Sequence, residues 1–181
     1  MYNPENRIIT TERLILRPFA VSDADDLVKQ CNNHNIFKTT LNMPYPYSLE
    51  DALSWISLAN ECFDNNRRYD FVVSDKITGK LLGSIGISNN QTHKNGELGY
   101  WIGEEFWNKG YGTEAAKAIL EFVFSEIGLH KVMGHHFASN PSSGKIMEKI
   151  GMSYEGTLID QVIKDGKFET LIRYGIINSR A

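Results

Sequence analysis

A glycine-rich turn at the start of a predicted helix is the feature of the sequence most suited to chemistry. Gly110-Tyr-Gly112 precedes a run of apolar residues at helical spacing, and Thr113 adds a hydroxyl donor. Glycines at a helix N-terminus let backbone N–H groups approach an anion closely, and the helix dipole favours negative charge there. The turn could bind a pyrophosphate, or it could be a tight turn that requires glycine conformations and binds nothing.

A dinucleotide-binding fingerprint is the main rival, because Gly110-x-Gly112-x-x-Ala115 fits its glycine spacing. That fingerprint places its first glycine directly after a strand, whereas residues 103–109 separate Gly110 from the strand predicted at 97–102. It also requires an acidic residue at the end of the next strand, and the strand predicted at 131–138 contains none. Nicotinamide binding is therefore disfavoured.

Four helices are predicted from apolar residues at helical spacing and from the residues that begin and end them. The first should end near residue 32 and the third near residue 127, and Gly151 should close the last. Residues 34–47, rich in Asn, Pro and Tyr, are predicted to form a loop. Three helix starts carry a capping pattern: Ser22 with Asp25, Ser48 with Asp51, and Asn140 with Pro141.

Apolar runs separated by turn signals predict a sheet. Asp165-Gly166, between two such runs, is the strongest hairpin signal in the chain. The order of elements predicts the α/β class, with a mixed (α+β) sheet in a single domain over residues 1–181 and no linker to divide it. The other strands are predicted at residues 8–19, 69–74, 80–88, 97–102 and 131–138.

Composition and charge exclude several classes of protein. The chain has 181 residues, which is long enough to bury a core without metal or disulfides. Its formal charge of −3 lacks the positive excess that is typical of nucleic-acid-binding proteins. No apolar run is long enough to span a membrane, and the polar N-terminal residues do not resemble a signal peptide. Cys31 and Cys62 form no CxxC pattern, which favours a reduced, cytoplasmic location.

Two adjacent histidines are the remaining candidates for a metal site. His135 and His136 fall in a predicted strand, so their side chains face opposite sides of the sheet. No further His or Cys spacing completes a ligand set. We therefore predict no metal and assign both histidines to packing and to the surface.

Several spaced motifs together resemble the GNAT N-acetyltransferase superfamily, and within it the RimJ/RimL type, which acetylates the N-termini of ribosomal proteins. The resemblance spans nearly the whole chain in the expected order, which makes it far more specific than the glycine turn alone. The motifs are Thr11-Glu-Arg-Leu-Ile-Leu-Arg-Pro18, Glu97-Leu-Gly-Tyr-Trp-Ile102, Trp107-Asn-Lys-Gly-Tyr-Gly-Thr-Glu-Ala115, Asn140-Pro-Ser-Ser143 and Glu148-Lys-Ile-Gly-Met152.

This resemblance implies an acetyl-coenzyme A site in a mostly antiparallel, helix-flanked sheet that is splayed between the strands at 97–102 and 131–138. The pantetheine would lie against the backbone like an added strand, and the pyrophosphate would sit on residues 109–113. Asn140 would hydrogen-bond the cofactor as well as cap its helix. The implied cofactor-binding residues are Trp101, Ile102, Gly103, Lys109, Gly110, Tyr111, Gly112, Thr113, Asn140 and Ser143.

Two residues are candidates for the chemistry that the resemblance implies. Many members carry a tyrosine general acid just before the Glu-Lys pair, but Met147 stands there and cannot donate a proton. Ser143 is then the candidate donor to the leaving thiolate. Glu97 is the candidate base for the amine, directly or through water, although it could also be an ordinary exposed carboxylate. A backbone N–H near Ile102 could stabilise the oxyanion.

The sequence therefore predicts an acetyl-coenzyme A-dependent N-acetyltransferase that acts on a primary amine, with a protein N-terminus of the ribosomal-protein type as the preferred acceptor. An enzyme for a small amine, such as a polyamine or a drug, is one alternative. A non-catalytic acetyl-coenzyme A sensor is the other, and Met147 favours it. We expect no nucleic-acid or membrane partner, and a monomer or a homodimer.

Overall fold

The computed structural model describes residues 1–5 and 7–179. Within that part of the chain, the strands are β1 (Tyr2–Asn3), β2 (Ile8–Thr10), β3 (Leu14–Arg17), β4 (Arg68–Asp75), β5 (Leu81–Ser88), β6 (Asn95–Ile102), β7 (Lys131–Phe137), β8 (Ser153–Lys164) and β9 (Lys167–Ile177). The helices are α1 (Ala24–Cys31), α2 (His34–Phe37), α3 (Leu49–Asp64), α4 (Tyr111–Ser125) and α5 (Pro141–Lys149), with 3-10 turns at Val21–Asp23 and Glu104–Phe106.

The nine described strands form one sheet in the order β1-β2-β3-β4-β5-β6-β7-β9-β8. Neighbouring strands are antiparallel except β6 and β7, which are parallel. The β6–β7 register runs from Asn95↔Lys131 to Leu98↔Gly134, so residues 99–102 and 135–137 leave the ladder and diverge. This confirms the predicted mixed, mostly antiparallel sheet, splayed between these two strands.

The helices cover the two faces of the sheet and create two apolar clusters. On one face, α4 and α5 pack against the sheet through residues such as Ile119 and Met147. On the other face, α1 and α3 pack through Leu27 and Ile56. Because side chains alternate along a strand, Tyr100 packs against the first cluster and its neighbour Trp101 against the second. The diverging end of β6 is therefore exposed to both layers.

Several of the local predictions are confirmed by hydrogen bonds. Ser48 and Asp51 form a reciprocal capping box at the start of α3, with Asp51 N–H donating to Ser48 Oγ at 3.1 Å. Pro141 is the first residue of α5, and Gly151 follows its end with φ +87°. The Asp165-Gly166 turn joins β8 to β9, and both of its residues have positive φ.

The capping pattern predicted at Ser22 and Asp25 is wrong. Asp23 instead accepts a hydrogen bond from Ala20 N–H at 2.8 Å and pairs with Arg17 at 2.6 Å. Asp23 is buried, and a buried carboxylate requires such partners, so the chain turns around Asp23 and α1 begins at Ala24.

Two longer predictions also differ from the structure. The strand predicted at residues 8–19 is a tight pair, β2 and β3, in which Ile9 lies opposite Leu16. The loop predicted at residues 34–47 contains the one-turn helix α2, whose first N–H groups are capped by Asn33. Between β2 and β3 the polar residues 11–13 reverse the chain, and the alternation of apolar residues does not reveal such a turn.

Candidate active site

A cleft of about 1050 Å³ opens where β6 and β7 diverge. Its walls come from both layers of helices, so the cleft passes between the two strands from one face of the sheet to the other. The α4/α5 side includes the first turns of both helices, and the α1/α3 side includes Trp55 and the loop at residues 38–44. Volume and concavity are those of a site for an extended ligand.

Gly110 is the N-cap of α4 and has φ +82°, a left-handed conformation that favours glycine. The first helical bond runs from Glu114 N–H to Gly110 O at 3.0 Å. The N–H groups of Tyr111, Gly112 and Thr113 precede it and have no helical acceptor. These three residues and Gly110 line the cleft, so the helix N-terminus presents backbone donors to it. This arrangement suits a phosphate-bearing ligand.

The turn before α4 is held in place by the residues that connect β2 to β3. Glu114 accepts hydrogen bonds from Thr11 Oγ1 at 2.6 Å and from Arg13 N–H at 2.9 Å, and its carboxylate pairs with the Arg13 guanidinium. Arg13 also donates to Lys109 O at 2.9 Å. Burial opposes ionisation of Glu114, but the hydrogen bonds from Thr11 and Arg13 prevail and lower its pKa. The Thr11-Glu-Arg13 motif thus anchors the turn.

Successive residues of β6 direct their backbone N–H and C=O groups alternately to β5 and to the gap between β6 and β7. Gly103 N–H donates to Leu82 O at 2.8 Å, and hydrogen-bonded pairs alternate along an antiparallel ladder. Trp101 therefore also directs its backbone groups to β5, whereas Tyr100 and Ile102 direct theirs to the gap. The Ile102 carbonyl accepts a hydrogen bond from Trp107 Nε1 at 2.6 Å. The Ile102 N–H lies on the same edge of β6 and is placed to bind a ligand in the gap.

The start of α5 supplies polar side chains to the same side of the cleft. Asn140 occupies the N-cap position, but its side chain makes no capping hydrogen bond, so its amide can serve a ligand. Ser143 Oγ lies 2.7 Å from Tyr100 Oη, which also donates to Ser143 O at 3.0 Å. Burial raises the pKa of Tyr100 to about 12, although the Ser143 contact opposes the shift, so the phenol stays protonated at neutral pH.

Met147 lies one turn after Ser143 and is almost fully buried in the apolar cluster beneath α5. A thioether there fills the core and has no proton to donate. Tyr100 reaches the cleft from the facing strand and brings a phenol to Ser143. A tyrosine is therefore present on this side of the cleft, although not on the helix.

Glu97 and His135 meet on the α1/α3 face, beside the point where the two strands separate. His135 Nδ1 lies 3.0 Å from Glu97 Oε1, and both residues line the cleft. The hydrogen bond from His135, together with the nearby positive charges, lowers the pKa of Glu97 although partial burial opposes this. Glu97 is thus an ionised carboxylate with a defined partner, and the assignment of His135 to packing and surface is incomplete.

A second ion pair, Arg68 with Asp70, lies on the same face, on β4. Asp70 is buried and accepts hydrogen bonds from Arg68 Nε at 2.7 and 2.8 Å. The Asp70 carboxylate occupies the place that a Cβ at Gly86 would fill, so glycine is required there. Burial raises the pKa of Asp70 in spite of Arg68. The carboxylate is therefore committed to Arg68, whose guanidinium borders the cleft.

Most of the residues predicted from the sequence line this cleft. They are Glu97, Trp101, Ile102, Gly110, Tyr111, Gly112, Thr113, Asn140 and Ser143. Gly103 and Lys109 are not part of its lining; Gly103 pairs with β5, and Lys109 Nζ donates to Glu105 O at 3.0 Å. Sequence analysis missed Tyr100 and His135 because their partners are distant in the chain. It missed the Arg68–Asp70 pair because only the assembled sheet brings that pair to the cleft.

Two further kinds of site are not found in the described residues. Among residues 1–5 and 7–179, no group of three or more His, Cys, Asp or Glu side chains is placed to hold a metal ion. Over the same residues, no helix combines the length and the apolarity needed to cross a membrane.

Comparison with known proteins identifies the family. Residues 13–153 match the family model described as "Acetyltransferase (GNAT) domain". The N-acetyltransferase YoaA of Bacillus subtilis is 27% identical over 175 residues, which cover 96% of this chain and 98% of YoaA. The spermidine N(1)-acetyltransferase of Vibrio cholerae is 27% identical over 169 residues, 93% of this chain and 95% of that enzyme.

The fold is also found among solved structures. RimL, a ribosomal L7/L12 alpha-N-protein acetyltransferase solved in complex with coenzyme A, superposes with a TM-score of 0.89, covering 96% of this chain and 99% of RimL. At 15% identity that likeness concerns the fold alone. Because the family model matches most of its length, the chain belongs to the GNAT acetyltransferase family and is an N-acetyltransferase.

Proposed function

We propose that this N-acetyltransferase moves the acetyl group of acetyl-coenzyme A to the α-amine of a protein N-terminus, as enzymes of the ribosomal-protein type do. The free N–H groups at the start of α4 suit the phosphates of this donor. The side-chain amide of Asn140, which makes no capping hydrogen bond, suits its amide-rich arm. The gap edge of β6, at Tyr100 and Ile102, offers backbone groups to the pantetheine. The donor thus approaches from the α4/α5 face and the acceptor from the α1/α3 face.

The charged side chains on the α1/α3 side of the cleft, called here the acceptor wall, are the reason for preferring a peptide acceptor. They are Arg68, Asp70, Glu97 and His135. Asp70 is committed to Arg68, and Glu97 is paired with His135. A polyamine carries several positive charges and needs several free carboxylates, whereas Asp70 and Glu97 on this wall each already have a basic partner. A peptide N-terminus brings a single ammonium group, followed by backbone carbonyls that a guanidinium can bind. The wall therefore favours the peptide, even though one similar protein is a spermidine acetyltransferase.

The proposed reaction is direct attack by the amine on the thioester. Holding the two reactants in one gap supplies much of the acceleration. The Ile102 N–H can stabilise the negative charge that develops on the carbonyl oxygen. The Tyr100 phenol can turn its single proton to Ser143 Oγ, which leaves the serine hydroxyl to donate a hydrogen bond to the departing thiolate. Glu97 is required for the amine to lose its proton.

An acceptor screen tests this proposal. Release of coenzyme A thiol should be measured with N-terminal peptides of varied first residues, with spermidine, and with the same peptides blocked by N-terminal acetylation. We expect the free peptides to give the highest kcat/KM, by about 10-fold or more over spermidine, the equivalent of about 1.4 kcal/mol. The blocked peptides control for lysine acetylation and for hydrolysis.

The alternatives make different predictions in the same screen. Higher turnover of spermidine than of any peptide would assign a small-amine acceptor and contradict the charge argument. Calorimetric binding of acetyl-coenzyme A with no thiol release for any amine would assign the non-catalytic sensor.

A further inference from the structure

We infer that His135 is the group that takes the proton from the attacking amine, and that Glu97 positions its imidazole and stabilises it when charged. This assignment rests on the proposed function, in which the amine enters the β6–β7 gap from the α1/α3 face. It changes the role of both residues: Glu97 becomes a positioning residue, and His135 becomes the catalytic base.

The position of His135 supports this role. Glu97 and Met133 are partners in the last part of the β6–β7 ladder, and His135 lies two residues further along β7, on the same face and just beyond the last pair. Its side chain is 21% exposed and lines the cleft, whereas that of Glu97 is 56% exposed. The imidazole therefore stands at the mouth of the gap, with one edge against Glu97.

The donor and acceptor roles fix the tautomer of His135. Glu97 is an ionised carboxylate, which can only accept hydrogen bonds. His135 Nδ1, 3.0 Å from Glu97 Oε1, must therefore carry the proton of that contact. In the neutral imidazole the second nitrogen, Nε2, then has a free lone pair. A carboxylate that orients a histidine in this way is the arrangement that makes histidine a base in acyl-transfer enzymes.

The charges around His135 come from four strands of the sheet. Glu97 of β6 is in direct contact, and Arg173 of β9 is its register partner on the other side. Arg173 is itself 3.3 Å from Glu155 of β8, which offsets its charge. Arg68 of β4 acts on Glu97 from beyond the contact. One carboxylate touches the ring directly, so an imidazolium formed during the reaction has an immediate counter-charge.

A low pKa makes Glu97 a poor base by itself. General-base catalysis is most efficient when the pKa of the base lies near the working pH, and histidine is the side chain whose ordinary value is closest. In the proposed step, the N–C bond forms and the C–S bond breaks. One proton of the attacking nitrogen passes to His135 Nε2, and the thiolate leaves with a hydrogen bond from Ser143 and takes its proton from solvent. His135 then releases its proton to solvent, so the step balances.

Kinetics of two conservative variants test the assignment. His135→Asn keeps a donor near the Nδ1 position and removes the base, so kcat/KM at pH 7 should fall by about 100-fold. The acidic limb of its pH profile should also flatten relative to wild type. Glu97→Gln keeps an acceptor for Nδ1–H and removes the charge. It should lose about 10-fold and keep the acidic limb, because the imidazole that accepts the proton is still present.

The controls separate this assignment from its rivals. His130→Asn, at an exposed histidine just before β7 and outside the cleft, should match wild type. The titration of the acceptor amine is common to all variants, so differences between the profiles belong to the protein. A flattened limb in Glu97→Gln, with a normal profile in His135→Asn, would mean that Glu97 acts through water and would overturn the inference.

A spectroscopic measurement is independent of the acceptor. Long-range ¹H–¹⁵N spectra of the histidine rings should show His135 as the Nδ1–H tautomer, and Glu97→Ala should remove that preference. An Nε2–H tautomer in the wild type would overturn the inference. If another amine is a better acceptor than any peptide, only the proposed acceptor fails, and the same variants are compared on that amine. Absence of turnover with every amine contradicts both proposals.

Discussion

The two sides of the cleft are built in different ways. The donor side consists of two short contiguous segments, residues 107–113 and 140–143, which present backbone N–H groups and small polar side chains. The acceptor side is built from charged side chains of separate strands, which the register of the sheet brings together. They are Arg68 and Asp70 of β4, Glu97 of β6 and His135 of β7.

This difference explains how binding and chemistry are divided. A helix N-terminus binds phosphate through backbone groups, so its demands on sequence are local: a glycine with positive φ and a start signal for the helix. A charged cluster depends on partners, because each charge must be balanced by a neighbour at the correct register. We therefore expect substitutions in the turn before α4 to change affinity, and substitutions nearer the gap, at the start of α5 and in the charged cluster, to change turnover.

The largest effect is expected from Gly110→Val on the donor side. A valine there must adopt φ +82° and adds bulk where the phosphates approach, so acetyl-coenzyme A affinity should fall by about 100-fold, equivalent to two lost charge-assisted hydrogen bonds. Calorimetric titration measures the loss. Gly79→Val is the matched control, because Gly79 has φ +72° and open space around it. Equal affinity in the two folded variants would contradict the donor site.

Ser143→Ala should affect turnover rather than affinity. Loss of the hydroxyl near the departing thiolate should lower kcat by about 10- to 100-fold, while the affinity for acetyl-coenzyme A and the thermal midpoint change little. Ser142→Ala is the comparison, because adjacent residues of a helix point about 100° apart. If Ser142→Ala loses turnover and Ser143→Ala keeps it, the wrong serine has been assigned.

Tyr100→Phe should have a smaller effect of the same kind. It removes the Oη that lies 2.7 Å from Ser143 Oγ but keeps the ring in the core. The serine then loses its orienting partner, and kcat should fall by about 3- to 10-fold, the equivalent of one neutral hydrogen bond. Added to Ser143→Ala, the substitution should cost almost nothing more. Additive losses in this double-mutant cycle would mean that Tyr100 acts separately.

The smallest effect is expected from Glu114→Gln, which tests the anchor of the donor turn. The folded pKa of Glu114 is lowered, so its charge stabilises the fold above the ordinary glutamate value of about 4.3, and the benefit disappears as pH falls through the lowered value. The wild type should therefore melt slightly above the variant at pH 7, and the difference should shrink as the pH is lowered below the ordinary glutamate value. Glu12→Gln controls for the loss of one surface charge. A pH-independent difference would contradict the anchor.

Much of the donor side could be predicted from the sequence because its signals are local. Gly110, Gly112, Asn140 and Ser143 all lie in the cleft. Gly103 and Lys109, predicted to belong with them, do not line the cleft. The Gly103 N–H bonds to Leu82, and the Lys109 side chain bonds to Glu105. Only the folded chain identifies these partners.

The sequence by itself determined the mixed sheet and the helix start that suits a pyrophosphate, because periodicity, caps and glycine turns are properties of neighbouring residues. Its spaced motifs also carried the resemblance that implied the family and the splay of the sheet. Only the tertiary structure decided what His135 and Tyr100 contact. His135 is 38 residues from Glu97, and Tyr100 is 43 residues from Ser143. Such contacts follow from strand register and from the divergence of β6 and β7, and those depend on how the whole sheet packs against its helices.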